Sequence, residues 1–163
     1  LRENKNTKFM ICGDGNLKEG LMKKVANVEL SEKIIFVGIV PDSEKKNYYS
    51  AGDIFVYASK SETQGMVLTE AMYSGLPIVA VRATGVKDIV ENSKTGFLVL
   101  DDAKEFGDSV QKLIDDENLR KKFGEEAKRV AREKYTATVC AERMVEVYKS
   151  AIKRKKYCER NNL

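Results

Sequence analysis

Two carboxylates with seven residues between them, Glu62 and Glu70, carry the most suggestive spacing in this chain. They lie in Ser59-Lys60-Ser61-Glu62-Thr63-Gln64-Gly65-Met66-Val67-Leu68-Thr69-Glu70-Ala71-Met72. An ionised carboxylate can accept two hydrogen bonds from a vicinal diol. Two of them at different depths could hold two diols. The local pattern predicts a loop at Glu62 and a helix from about residue 66, with Glu70 about one turn in. Gly65, Met66 and Val67 then present N–H groups without intrahelical acceptors, and the helix dipole favours an anion or a sugar oxygen beside them. A plainer reading also stands. Glu70 near a helix N-terminus stabilises any helix by ~0.3–1 kcal/mol, and Glu62 can be a solvated loop residue. Spacing alone does not choose between the two.

Other motifs are weaker. Gly13-Asp14-Gly15 sits between an apolar run and a helical pattern, where glycines permit a tight turn and close approach of a ligand. Lys18 occupies the position where a dinucleotide fingerprint needs its third glycine, and no phosphate-binding GxxxxGK[ST] occurs. The chain has no histidine and only three cysteines, Cys12, Cys140 and Cys158. Histidine-based acid–base chemistry is thereby excluded within the chain, and a zinc site has few ligands to draw on. Reduced thiols in a cytoplasmic protein are expected, with Cys12 a small buried hydrophobe in a strand. Two alternatives stay open on this evidence: an NAD-binding domain, and a non-catalytic α/β nucleotide-binding domain.

The elements that must position these residues are legible from the apolar runs. Lys8–Cys12, Ile34–Gly38, Ile54–Ala58, Pro77–Val81 and Gly96–Leu100 are mostly continuous, as strands covered on both faces read. Leu17, Leu21, Val25 and Val28 predict one helical face. Short helices are expected over 43–51, 66–74 and 86–92. Asp102 with Glu105 reads as a capping box opening a helix buried through Phe106, Val110, Leu113 and Ile114. Leu119, Phe123, Ala127, Val130 and Ala131 mark the next helix. Cys140, Met144, Val147, Tyr148, Ala151 and Ile152 mark the last. Strand–helix alternation predicts an α/β fold: a doubly wound parallel sheet, Rossmann-like, in three αβα layers. Such sheets bind ligands at the carboxyl ends of their strands, so the loops Gly13–Asn16, Gly38–Ser43 and Ser59–Met66 are the places to look.

Composition sets the outer bounds. The 163 residues are 42% hydrophobic and 33% charged, which suits one globular domain. No apolar run approaches the ~20 residues of a membrane-spanning helix. Residues 149–163 hold six of the 29 Lys and Arg against one Glu, so the other residues are nearly neutral at 23 basic and 24 acidic. A nucleic-acid binder spreads its basic surface over the folded body, and no nucleic-acid partner is expected. The basic end reads as a frayed, solvated tail over 151–163, or as a membrane-surface or subunit contact.

The segment from Ser59 to Met72 resembles the E-x7-E signature of the large group 1, glycogen synthase-like family of retaining glycosyltransferases with the GT-B fold. Phe36-Val37-Gly38, Ala51 to Val56, Ser74 to Ala80, Asn92 to Val99 and Arg120 to Tyr135 resemble that family in its order. The resemblance implies that residues 1–150 are its nucleotide-sugar-binding domain and that a hexose moves from a nucleoside diphosphate sugar, UDP favoured, to an acceptor hydroxyl on a membrane lipid or a cell-surface glycan. Glu62 would contact the donor sugar as the catalytic-site carboxylate. Glu70 would contact the ribose. Gly65, Met66 and Val67 amides would approach sugar and diphosphate. Gly38, Ile39 and Val40 would lie against the base, with Gly13 and Gly15 at the cleft floor. No metal or other cofactor is implied. An Arg–Lys diphosphate clamp and an N-terminal acceptor domain would lie upstream of Leu1, so this chain by itself would be inactive. Ser61 to Gly65 is similar to members that glucosylate diacylglycerol, which implies a cytoplasmic place at the inner face of a membrane.

Overall fold

The computed structural model describes residues 6–61 and 64–160, with side chains in the last helix described as far as Lys155. The chain divides into two compact units, Leu1–Tyr48 and Tyr49–Leu163. In the first, β1 (Phe9–Cys12) pairs in parallel with β2 (Ile34–Gly38), and α1 (Lys18–Asn27) connects them. A short helix, α2 (Lys45–Ser50), leads into the second unit. There β3 (Phe55–Tyr57), β4 (Ile78–Val81) and β5 (Gly96–Val99) form a parallel ladder in the order β3-β4-β5. The remaining helices are α3 (Met66–Tyr73), α4 (Ala103–Asp115), α5 (Glu117–Lys134) and α6 (Ala137–Arg160). Every strand pair is parallel, as the continuous apolar runs predict, and all five strands fall inside the expected segments.

The core belongs to the second unit. All four residues of β4, the central strand, are buried. Leu68, Ala71 and Met72 of α3 pack with Ile78, Val86, Val90 and Ala127 in one cluster, while Val79, Leu113 and Phe123 form another on the opposite side of β4. Full burial of a side chain such as Leu68 or Met72 contributes roughly 1.5–3 kcal/mol. Asp102 Oδ1 accepts the N–H of Glu105 at 2.7 Å, so the predicted cap opens α4. Its reciprocal half is redirected, because Glu105 Oε2 accepts from Leu100 N–H at 3.0 Å. Asn92 Oδ1 likewise takes the Leu98 N–H at 3.0 Å. Side chains thus occupy one donor of β5, at Leu98, and one just past its end, at Leu100, where β5 is the last strand of its ladder and an open edge would invite further pairing.

Four expectations fail. Residues 86–92 make turns and no helix: Gly85 has φ +86, and β-branched Val86, Ile89 and Val90 are spent on the core. In α1 no residue is buried, and Leu17, Leu21 and Val28 are exposed. A two-stranded ladder with one helix has too little surface to enclose that stripe. Cys12, expected inside, is exposed because it is the last residue of β1, past a register shift between Ile11 and Cys12. The apolar stripe of α6 is not packed either, since Met144, Val147, Tyr148 and Ile152 are all more than half exposed. That helix continues without a break past residue 150, through the basic run, to Arg160.

Candidate functional site

The loop leaving β3 enters α3 through Gly65, whose φ of +60 places it in the left-handed region as the N-cap residue. Glycine takes that conformation without the steric cost a Cβ would add. The Gly65 carbonyl accepts the N–H groups of Leu68 and Thr69, at 2.9 and 3.2 Å. Met66 and Val67 are left with N–H groups that meet no acceptor among the described residues. Positive helix dipole and free donors therefore coincide at the carboxyl end of β3, the chemistry that suits a phosphate or sugar oxygen. Leu68, Ala71 and Met72 anchor the helix by its buried face.

Glu70 lies on α3 one turn from those donors and is half-buried. Its Oε2 accepts a hydrogen bond from Tyr49 Oη at 2.8 Å. Among the described residues its Oε1 has no partner. The backbone carbonyl of Glu70 takes both the N–H and the hydroxyl of Ser74, at 3.1 and 3.0 Å, which closes the other end of the helix. Tyr49 is held by the core cluster and by Phe55, with ring centroids 5.9 Å apart, and Phe55 stacks on Tyr57 at 6.3 Å. Lys60 in the same loop pairs with Asp101, which follows β5. Neither Tyr49 nor this ion pair was expected from the sequence. The Tyr48-Tyr49 doublet in a polar helix hints at an aromatic with a buried ring, but not at its partner.

The site residues fall into two groups. Gly65, Met66, Val67 and Glu70 are brought together at the start of α3. Glu62 and Thr63 lie outside the described residues. In the first unit, Gly13 N–H donates to the Gly38 carbonyl at 2.7 Å, so the loops after β1 and β2 run side by side. Ile39, next to Val40 in the second of these loops, is exposed. The turn through Gly15 is closed by its own side chain: Asp14 accepts the Gly15 N–H at 2.8 Å and pairs with Lys18 Nζ at 2.8 Å. Lys18 chiefly, and then that N–H, hold the Asp14 carboxyl below the usual aspartate range. An anionic ligand would meet a carboxylate on that amide, so the donors of α3 are the better phosphate site.

Parallel ladders flanked by helices, with the candidate donors at a strand-to-helix junction, define a Rossmann-like α/β fold. The model of the family described as glycosyl transferases group 1 matches residues 1–130, and the chain belongs to that family. A sulfoquinovosyl transferase of Arabidopsis thaliana is 38% identical over 132 residues, which cover 78% of this chain and 25% of that protein. An alpha-monoglucosyldiacylglycerol synthase of Streptococcus pneumoniae is 34% identical over 98 residues, 60% of this chain and 22% of its own. The chain thus spans about a quarter of the length of these curated relatives. Among solved structures, a mutant TarM of S. aureus in complex with fondaparinux, alpha-GlcNAc-glycerol and UDP matches with a TM-score of 0.79 at 25% identity. That match covers 90% of this chain and 30% of the other. The fold is that of GT-B glycosyltransferase domains. An NAD-binding reading is not favoured, with Lys18 at the third fingerprint position and paired to Asp14.

Proposed function

We propose that this chain is the donor-binding domain of a glycosyltransferase that moves a hexose from a nucleoside diphosphate sugar, a UDP-sugar first, to an acceptor hydroxyl. The observation that carries the reading is the conjunction at α3 of two N–H donors and a carboxylate oxygen of Glu70 that meet no partner among the described residues. The donors suit the diphosphate and the carboxylate suits the ribose diol. Glu62 contacts hydroxyls of the donor sugar and orients it.

Catalysis on this reading is electrostatic. The bond from the anomeric carbon to the diphosphate breaks as the acceptor oxygen attacks, the acceptor's proton passes to the departing diphosphate oxygen, and the charge that gathers on the diphosphate is met by helix-terminal amides already in place. The reaction retains configuration and needs no metal. An acceptor-binding domain beside this one supplies orientation and excludes water. The acceptor is a membrane lipid or a cell-surface glycan; the name of one relative described above, a monoglucosyldiacylglycerol synthase, supports the lipid. The basic run at the end of α6 suits an anionic membrane face in the cytoplasm. No helix among the described residues is long and apolar enough to cross a membrane.

Thermal unfolding with UDP, GDP, ADP, UDP-glucose and NAD tests the core of this reading. Stabilisation by one nucleoside diphosphate, weakened in Glu70→Ala, is expected. Stabilisation by NAD alone would overturn it.

A further inference from the structure

The hydroxyl of Tyr49 and the carboxylate of Glu70 come from positions 21 residues apart and meet at 2.8 Å in a half-buried contact. We infer that Tyr49 is a positioning residue for nucleotide binding: its hydroxyl holds the Glu70 carboxylate in the orientation that reads a ribose diol. The inference rests on the role proposed above for Glu70.

Three features support it. Packing alone does not require the hydroxyl. The ring of Tyr49 lies against Phe55 and the core cluster, and phenylalanine would fill the same space without bringing in a polar group that must be satisfied. Next, the donor is rigid while its acceptor is not. Tyr49 is fixed by packing on β3, whereas Glu70 has several rotatable bonds and, among the described residues, no other side-chain partner. A single charge-assisted bond then selects one rotamer, and the entropy of ordering that side chain is met before any ligand arrives. Finally, the bond uses one of the roughly four acceptor positions of a carboxylate, and among the described residues Oε1 meets no partner. An acceptor-only group so held recognises hydroxyls that donate, and two adjacent hydroxyls match it better than one.

The experiment compares ribose with 2′-deoxyribose. Affinities of the 163-residue chain for UDP and 2′-deoxy-UDP are measured by calorimetry, with the GDP and ADP pairs in parallel. The parent chain is expected to prefer the ribose form roughly tenfold, and Glu70→Ala to lose that preference. Tyr49→Phe, which keeps the ring, is expected to lower the preference roughly threefold while leaving the affinity for the deoxy form unchanged. Phe55→Leu, which loosens the Tyr49 ring without touching Glu70, is expected to lower it less and serves if Tyr49→Phe does not fold. Retention of the full preference in both variants, or equal weakening of both nucleotides, would overturn the positioning role while leaving that of Glu70 intact. If Glu70→Ala keeps the preference, the reading of Glu70 fails and this inference with it.

Discussion

Gly124 of α5 lies directly against the carbonyl oxygen of Gly75, so that a Cβ added to Gly124 would overlap it. Gly75 ends α3, whose opposite end carries the candidate site. The contact between two glycines therefore sets how closely α5 approaches α3, and α5 supplies Ala127, Val130 and Ala131 to the cluster that holds Leu68 and Met72. Gly124→Ala must push backbone away from backbone, which no rotamer change relieves. A loss of about 1–3 kcal/mol is expected, read by urea unfolding. A variant as stable as the parent would show that the helices separate at no cost.

Helix capping gives a second prediction. Asp102 accepts the Glu105 N–H at 2.7 Å and Asp116 accepts the Leu119 N–H at 2.9 Å, at the starts of α4 and α5. Replacing either by alanine strands a donor and is expected to cost about 0.5–2 kcal/mol. The two caps are at different helices, so the double variant tests whether the losses add.

Acid sensitivity is expected around Glu91. Lys134 Nζ meets one of its oxygens at 2.8 Å and Lys94 Nζ the other at 3.3 Å. The bond from Lys134, then that from Lys94, holds the Glu91 carboxyl below its ordinary value, and Lys134 is raised in turn. For the carboxylate, the stabilisation is present above about pH 4.3, the unfolded value, and is lost as pH falls through the lower folded value. For the lysine it is present below about pH 10.4 and is lost as pH rises through the higher folded value. The stability gap between the parent and Glu91→Gln should thus be constant near neutrality and shrink under acid. A gap unchanged at pH 3 would remove the ion pair as its cause.

Glu62 and Glu70 are expected to differ in what they read. Glu62→Ala should weaken UDP-glucose and leave UDP nearly unaffected, because UDP lacks the sugar that Glu62 contacts. Glu70→Ala should weaken both by about tenfold, the usual scale for a hydrogen bond to a charged group. Calorimetric titration of the four combinations separates these roles. Equal losses of UDP in both variants would place both glutamates on the nucleotide.

What the amino-acid order determined by itself was local. Continuous apolar runs marked all five strands, and in β4, buried at every residue, the reason is that a strand covered on both faces cannot alternate. Gly65 before an apolar helix face, with Glu70 a turn later, marked the candidate site, because orphan N–H groups at a helix start follow from helix geometry alone. Asp102 and Glu105 announced α4, yet only the fold decided that Glu105 turns to Leu100 at the end of β5. The same holds for Tyr49. Its residue type signalled a buried ring with a polar end, but its meeting with Glu70 exists only once α3 joins the core cluster against which Tyr49 and Phe55 also pack. Burial followed the same division. The apolar stripes of α1 and α6 read like that of α5, and only α5 buries its own, because a stripe states what a helix could cover and tertiary packing decides whether a surface is there to meet it.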